Sequence, residues 1–441
     1  MSLDPRWGGM NGIFFAIVMI AFTVAGYRQI TWIDPGAGAK APMDLLAAAM
    51  VDSAAASVTL ALGLVGVMAL FLGLMKVAEA GGLLVIIARV MRPLMQRLFP
   101  DVPPDHPAMG AMILNMSANV LGLGNAATPF GIRAMQELDK LNPVKGSASN
   151  SMVLFLAINT SSVTLLPTGV IALRAAAGSQ DPAGIVPTTL FATIVSTTVA
   201  IFMAKLCQRY WRMGHSSTGA APTEKSGSEA SLEDISVSDA DHAYPAWVSF
   251  ILLAAVFTLI PLTVAYGRQI APWIIPGLMV GFLGFGVARK VPVYEVFVEG
   301  AKDGFKVALR IIPYLVAILV AVGMFRASGA MDMLIAPLSV VTAPLGLPAE
   351  ALPMALLRPL SGSGAYGVLA SIINDPAIGP DSYTGYLVST FQGSTETTFY
   401  VLAVYFGAVN VRRIRHALAA GLSADVAGIA GAVAITMYLY G

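Results

Sequence analysis

Charge is scarce in this sequence. Of 441 residues, 26 are Lys or Arg and 25 are Asp or Glu, 12% in all against 56% apolar, and the mean hydropathy is +0.75. Water-soluble domains carry about 25% charged residues. A chain this poor in charge cannot clothe a water-facing surface, which excludes a soluble enzyme, and it is too apolar for general disorder. The net charge of +1 leaves no global basic field, so no nucleic-acid partner is expected. A single cysteine, Cys207, excludes an internal disulfide and any thiol-rich metal site. There are four histidines, and two of them, His215 and His242, lie in a polar stretch. No Walker-type phosphate loop is present, which argues against a built-in ATPase. Gly362-Ser363-Gly364 lacks the strand–turn–helix context of a nucleophile elbow. No enzyme activity, cofactor or metal is expected.

Long apolar runs are what the chain has instead. A bilayer core takes about 20 apolar residues as a helix. Runs near that length lie at 7–27, 54–75, 146–173, 182–204, 243–267, 269–288, 311–325, 382–411 and 417–440. The expectation is an all-α polytopic membrane protein with about nine spans. The stretch 213–244 differs, with seven serines, six acids and no apolar run. It reads as a disordered, solvated linker between a first membrane half, 1–212, and a second, 245–441.

The halves resemble each other in order. Val51-Asp52-Ser53-Ala54 matches Val298-Glu299-Gly300-Ala301, Asp52 and Glu299 being read as interfacial caps at helix mouths. Each half continues to two polar clusters inside apolar sequence. Charge placement is reversed between them: 54–75 is followed by positives from Lys76 onward, whereas its counterpart 302–325 has Lys302, Lys306 and Arg310 before or within its first turns. Likewise 146–173 begins beside Lys145 while 382–411 ends at Arg412, and 182–204 ends at Lys205 while 417–440 follows Arg415. Such reversal is the mark of inverted-topology repeats, a transporter architecture. By the positive-inside rule, the amino terminus and linker are expected in the cytoplasm and the carboxyl terminus outside, in a bacterial inner (plasma) membrane.

Segments 107–129 and 348–371 are short and broken by Gly and Pro, and read as re-entrant helix–loop–helix elements. The candidate solute-binding residues follow. They are Asn115, Ser117, Asn119 and Asn125 in the first segment, Asn159, Ser161 and Ser162 in the run after it, Arg358, Ser361 and Ser363 in the second segment, and Gln392, Ser394, Thr395, Glu396 and Thr397 in the last cluster. An intramembrane Arg is costly and demands a partner or a wet site, and Glu396 is the available counter-charge for Arg358. Competing roles are plain: Ser and Thr bond to their own helix carbonyls, Asn caps broken helices, and an Arg358–Glu396 pair can serve only to lock the fold.

At Arg358-Pro359-Leu360-Ser361-Gly362-Ser363-Gly364-Ala365-Tyr366-Gly367 and at Gln392 to Tyr400, the second half resembles spore maturation protein B. The first half, with Asn115-Met116-Ser117-Ala118-Asn119 and Gly124-Asn125-Ala126-Ala127-Thr128-Pro129, resembles spore maturation protein A. The resemblance implies a fusion of the two, each half carrying the nucleoside recognition, or Gate, domain, shared with concentrative nucleoside transporters and the membrane part of the ferrous-iron transporter B. The function expected is a secondary transporter or permease of a small polar or anionic solute, Arg358 favouring an anion. The alternative is a non-transporting scaffold in envelope or spore-cortex maturation. Membrane lipid and a small-molecule solute are the expected partners, with a coupling ion and homo-oligomerisation left open.

Overall fold

The computed structural model describes residues 10–33, 40–122, 124–161, 164, 166–211, 247, 251, 254, 258 and 273–441. The linker read at 213–244 and nearly all of the run at 243–267 lie outside these residues. Among the described residues the secondary structure is helical, with no strand and one isolated bridge, Ser147 with Arg413. The all-α reading of the sequence holds.

The first half contains α1 (Met10–Ile30), α2 (Pro42–Ala80), α3 (Leu83–Leu98), α4 (Pro107–Val120), α5 (Gly124–Lys140), α6 (Asn150–Ser161), α7 (Thr168–Ala176) and α8 (Ile185–Cys207). The second contains α9 (Trp273–Ala288), α10 (Val293–Ala327), α11 (Ala330–Thr342), α12 (Leu352–Leu357), α13 (Gly362–Ile373), α14 (Tyr383–Ser394), α15 (Thr398–Gly407) and α16 (Ala417–Tyr440). From α2 and α10 onward the two series run in step. Both α3 and α11 begin after a left-handed glycine, Gly82 and Gly329. Both halves then form a pair of helices joined by a turn, a broken helix pair, and one long apolar helix.

The long helices of the two halves pair with each other, α2 with α10 and α8 with α16. The first pairing is close: at Gly304 an added Cβ would lie 2.6 Å from the Ala69 Cα. Small residues that let helix backbones approach are a common device of membrane helix packing. The helices α2 and α10 are longer than expected, so Asp52 and Glu299 sit inside helices rather than at their mouths. Among the described residues, two helices, α8 and α16, are long and apolar enough to cross a membrane, or up to four spans if each of two bent pairs counts as one.

Two expected spans are broken. The run 146–173 divides into α6 and α7, because Pro167, which stands just before α7, cannot continue a helix's hydrogen bonding. The run 382–411 divides into α14 and α15 at Thr395–Thr397, where Thr395 is extended (φ −139°, ψ 163°). These broken helices run antiparallel. Near the start of α6, the Arg412 and Arg413 amides donate to the Gly146 carbonyl (2.9 and 3.0 Å), just past the end of α15. At the far end, Arg174 of α7 reaches the segment before α14, donating to the Pro380 carbonyl (2.6 Å) and pairing with Asp381 (3.0 Å). The α8–α16 pair is antiparallel too: Arg415 donates to the Trp211 carbonyl at one end and the Tyr440 hydroxyl to the Gly184 carbonyl at the other (2.8 Å). Opposite directions for equivalent elements are what inversion of the repeat requires.

Candidate functional site

The two broken helices cross at their breaks. There the Glu396 amide donates to the Thr160 carbonyl (2.8 Å), joining the α14–α15 break to the last turn of α6. The Thr193 hydroxyl on α8 donates to the Ser161 carbonyl (2.9 Å). Backbone groups left open where α6 ends are thus satisfied across elements, as an interior poor in water demands.

The tips of the two helix–turn–helix segments reach the same place. The first turns at Gly122, whose φ of +76° suits glycine and where an added Cβ would stand 2.7 Å from the Leu166 carbonyl oxygen. Just before it, Asn119 donates to Asn159 Oδ1 (2.9 Å), and Asn159 in turn donates to the Phe155 carbonyl (2.9 Å). Asn115, fully buried, donates to the Ala127 carbonyl (2.7 Å) and to the Tyr405 hydroxyl (3.2 Å), tying the first half's hairpin to α15. In the second half, Ser361 caps α13 by accepting from the Gly364 amide (3.0 Å). Arg358 is 4% exposed. It donates to Thr397 Oγ1 (3.1 Å) and to the Thr395 carbonyl, and its Nη2 lies 3.8 Å from Glu396 Oε2.

Between these tips lies a cavity of about 180 Å³ with walls from both halves. The first half supplies Asn119, Gly122, Thr164, Pro167 and the first turn of α7. The second supplies Tyr366 from α13, and Gln392, Gly393 and Glu396 from the α14–α15 break. Gln392 is 5% exposed and its Oε1 has no hydrogen-bond partner. A buried acceptor left open costs about 1–3 kcal/mol.

Of the candidate residues, Asn119, Gln392 and Glu396 line this cavity. Asn115, Asn159, Arg358 and Thr397 stand behind it, holding its walls. The hydroxyls of Ser117, Ser161 and Ser394 bond to carbonyls of their own helices, and Thr395 offers its carbonyl to Arg358. Ser162 and the side chains of Asn125 and Ser363 lie outside what is described. Sequence reading passed over Thr164, Thr168 and Tyr366. The signal available for them was Pro167, which sits within an apolar run directly after a hydroxyl cluster.

Behind the break, Asp425 on α16 is 2% exposed and accepts from the Thr398 hydroxyl (2.7 Å). A larger cavity, about 840 Å³, opens between α2, α10 and α13. Its charged groups, Arg326 and Asp375, are already paired with each other (2.7 Å). The smaller cavity is the better candidate, since polar groups of both halves converge there.

The architecture is that of an integral membrane protein made of two repeats, with broken helices crossing at a polar cavity. The family model described as "Gate: Nucleoside recognition" matches residues 61–177 and 308–412, running from α2 just past α7 and from α10 just past α15. The chain is 47% identical over 167 residues to spore maturation protein B of Bacillus subtilis (strain 168), covering 38% of this chain and 93% of that protein. It is 50% identical over 155 residues to spore maturation protein A of the same organism, covering 35% of this chain and 79% of that protein. The chain belongs to the Gate family of membrane proteins, as a fusion of the spore maturation protein A and B types. Solved structures of CNTnw align along nearly its whole length. An outward-facing double variant gives a TM-score of 0.39 at 12% identity, covering 97% of this chain and 99% of that one. An inward-facing substrate-bound state gives 0.39 at 14%, covering 99% and 93%.

Proposed function

We propose that the protein is a secondary transporter or permease of a small polar solute, which binds where the α6–α7 and α14–α15 breaks cross. The observation that supports this reading is the cavity at the crossing, whose wall draws Asn119 and Thr168 from one repeat and Tyr366, Gln392 and Glu396 from the other. Polar side chains from both repeats converging on one cavity are what a solute site held between inverted repeats needs. On this reading the units are a membrane half at 1–212, a cytoplasmic linker at 213–244 and a second membrane half at 245–441, set in a bacterial inner membrane.

The test is a thermal-stability screen of the purified protein in detergent against nucleosides, nucleobases, amino acids, small dicarboxylates and divalent metals. A ligand at 100 times its Kd adds about 2.7 kcal/mol. The expected result is selective stabilisation by one class, lost in Gln392→Ala. Stabilisation by none of them, with the protein folded, favours the scaffold alternative in envelope or spore-cortex maturation.

A further inference from the structure

We infer that the cavity at the crossing selects a cationic solute, an ammonium or amidinium compound small enough for about 180 Å³, rather than an anion. The inference rests on the proposal that this cavity is the solute site. It turns on which member of the Arg358–Glu396 pair meets the cavity. The guanidinium is buried, with its terminal nitrogens committed to the Thr395 carbonyl and Thr397 Oγ1, and it is not among the cavity's lining groups. Glu396 is among the residues lining the cavity, and its side chain is 48% exposed rather than sealed in protein. Glu396 is the one charged residue in the described wall.

The neutral polar groups of the wall are amides and hydroxyls, which can accept from a cation. Asn119 donates one of its two amide hydrogens to Asn159 Oδ1, and its carbonyl oxygen can accept. Two features oppose a cation. Arg358 stands behind Glu396, but Coulomb attraction falls with distance, so a cation touching the carboxylate feels the nearer charge more strongly than the one beyond it. The first turn of α7 also faces the cavity at Thr168 and Gly169. A helix start carries about half a unit of positive charge, and here it is partly satisfied locally, because Thr168 and Val170 donate to the Leu166 and Pro167 carbonyls. The full carboxylate outweighs it.

Thiol chemistry tests the sign of the site without a known solute. In a Cys207→Ser background, which removes the chain's one cysteine, Thr168→Cys places a thiol in the cavity wall and Thr164→Cys provides a second position. Each thiol is reacted with 2-aminoethyl methanethiosulfonate and with 2-sulfonatoethyl methanethiosulfonate, and each rate is normalised to free cysteine. Only variants that unfold at the parent temperature are used. The expected result is a roughly tenfold preference for the cationic reagent, in line with charge focusing in clefts, falling towards unity in Glu396→Gln. Preference for the sulfonate, or a cationic preference untouched by Glu396→Gln, overturns the inference and leaves an accessible solute site standing. If neither reagent reaches either thiol until the protein is denatured, the transport reading fails as well.

Discussion

The Glu396 amide and the Thr160 carbonyl meet at 2.8 Å, joining the two repeats where their broken helices cross. The bond places the one charged residue of the described cavity wall on an interrupted backbone segment that the opposite repeat holds. Side-chain substitution leaves the bond intact. Glu396→Gln should therefore unfold within a few degrees of the parent while altering solute binding. Paired thermal-unfolding and binding measurements separate the two effects.

Arg358 should behave in the opposite way. Its contacts are to wall-forming groups, Thr395 and Thr397, so its removal frees a buried carbonyl and hydroxyl. Losing such bonds costs about 1–3 kcal/mol. Arg358→Ala should lower the unfolding temperature, and Arg358→Lys should recover only part of the loss, since an ammonium cannot reproduce the planar fork. Full stability in Arg358→Ala would make the residue part of the solute site rather than of its support.

Much of this arrangement was legible in the sequence and some was not. The repeat, the reversed charges and the polar clusters were visible because Asn, Arg and Glu stand out in apolar runs. The break in 382–411 was not, because hydropathy measures composition and an extended Thr395 is as permissible as a helical one; the break in 146–173 had a mark in Pro167, which a hydropathy reading does not register. Nor could sequence divide lining groups from supporting ones. Arg358 and Glu396 both read as intramembrane charges, and only their placement shows which one meets the cavity. Ser361 read as a ligand contact and serves as a helix cap.

Gly122 should tolerate no side chain. It combines a φ of +76° with a close approach to the Leu166 carbonyl. Gly122→Ala should both strain the backbone and push the first hairpin's tip away from the α6–α7 break. The expected outcome is a loss of about 1–3 kcal/mol together with weaker solute binding, read by denaturation and ligand titration on the same sample.

Arg174 is fully buried and engages Pro380, Ser179, Asp181 and Asp381, and its guanidinium stacks over the Tyr386 ring at 4.3 Å. Removing one partner of a buried pair costs about 3–5 kcal/mol. Arg174→Ala should reach that range. Asp381→Asn should cost less, because Asp381 is 35% exposed and the carbonyl partners remain. A double-mutant cycle on the two measures their coupling.

His416, just before α16, titrates against the fold. Burial, and then the neighbouring Arg415 charge, push its pKa down from 6.5 to about 4. As pH falls, the unfolded chain therefore takes up this proton first. The contribution of His416 to stability is complete above pH 6.5, is lost progressively between 6.5 and about 4, and changes no further below that. His416→Gln should flatten the stability profile in that window. An unchanged slope would assign it to other groups.

Orientation follows from where the fold gathers the positive charges. Arg415 reaches Trp211 and the Ala148 carbonyl, and the Arg412 and Arg413 amides bind Gly146. These contacts bring the ends of α8 and α15 and the starts of α6 and α16 together, with Lys145, Lys205 and Arg209 nearby in sequence. At the opposite end Arg174 is buried between the Asp181 carbonyl and Asp381, and Arg326 is paired with Asp375, so acids there match or outnumber the positives. By positive-inside bias we propose that the first end faces the cytoplasm. Since α16 runs antiparallel to α8, its last residue lies at the other end, as the Tyr440–Gly184 bond records. A reporter active only in the cytoplasm should thus work when inserted in 213–244 and fail when fused after Gly441, and a periplasmic reporter should give the reverse. Activity of the cytoplasmic reporter at both sites would mean that α16 does not cross the membrane opposite to α8, and the inverted arrangement would have to be abandoned.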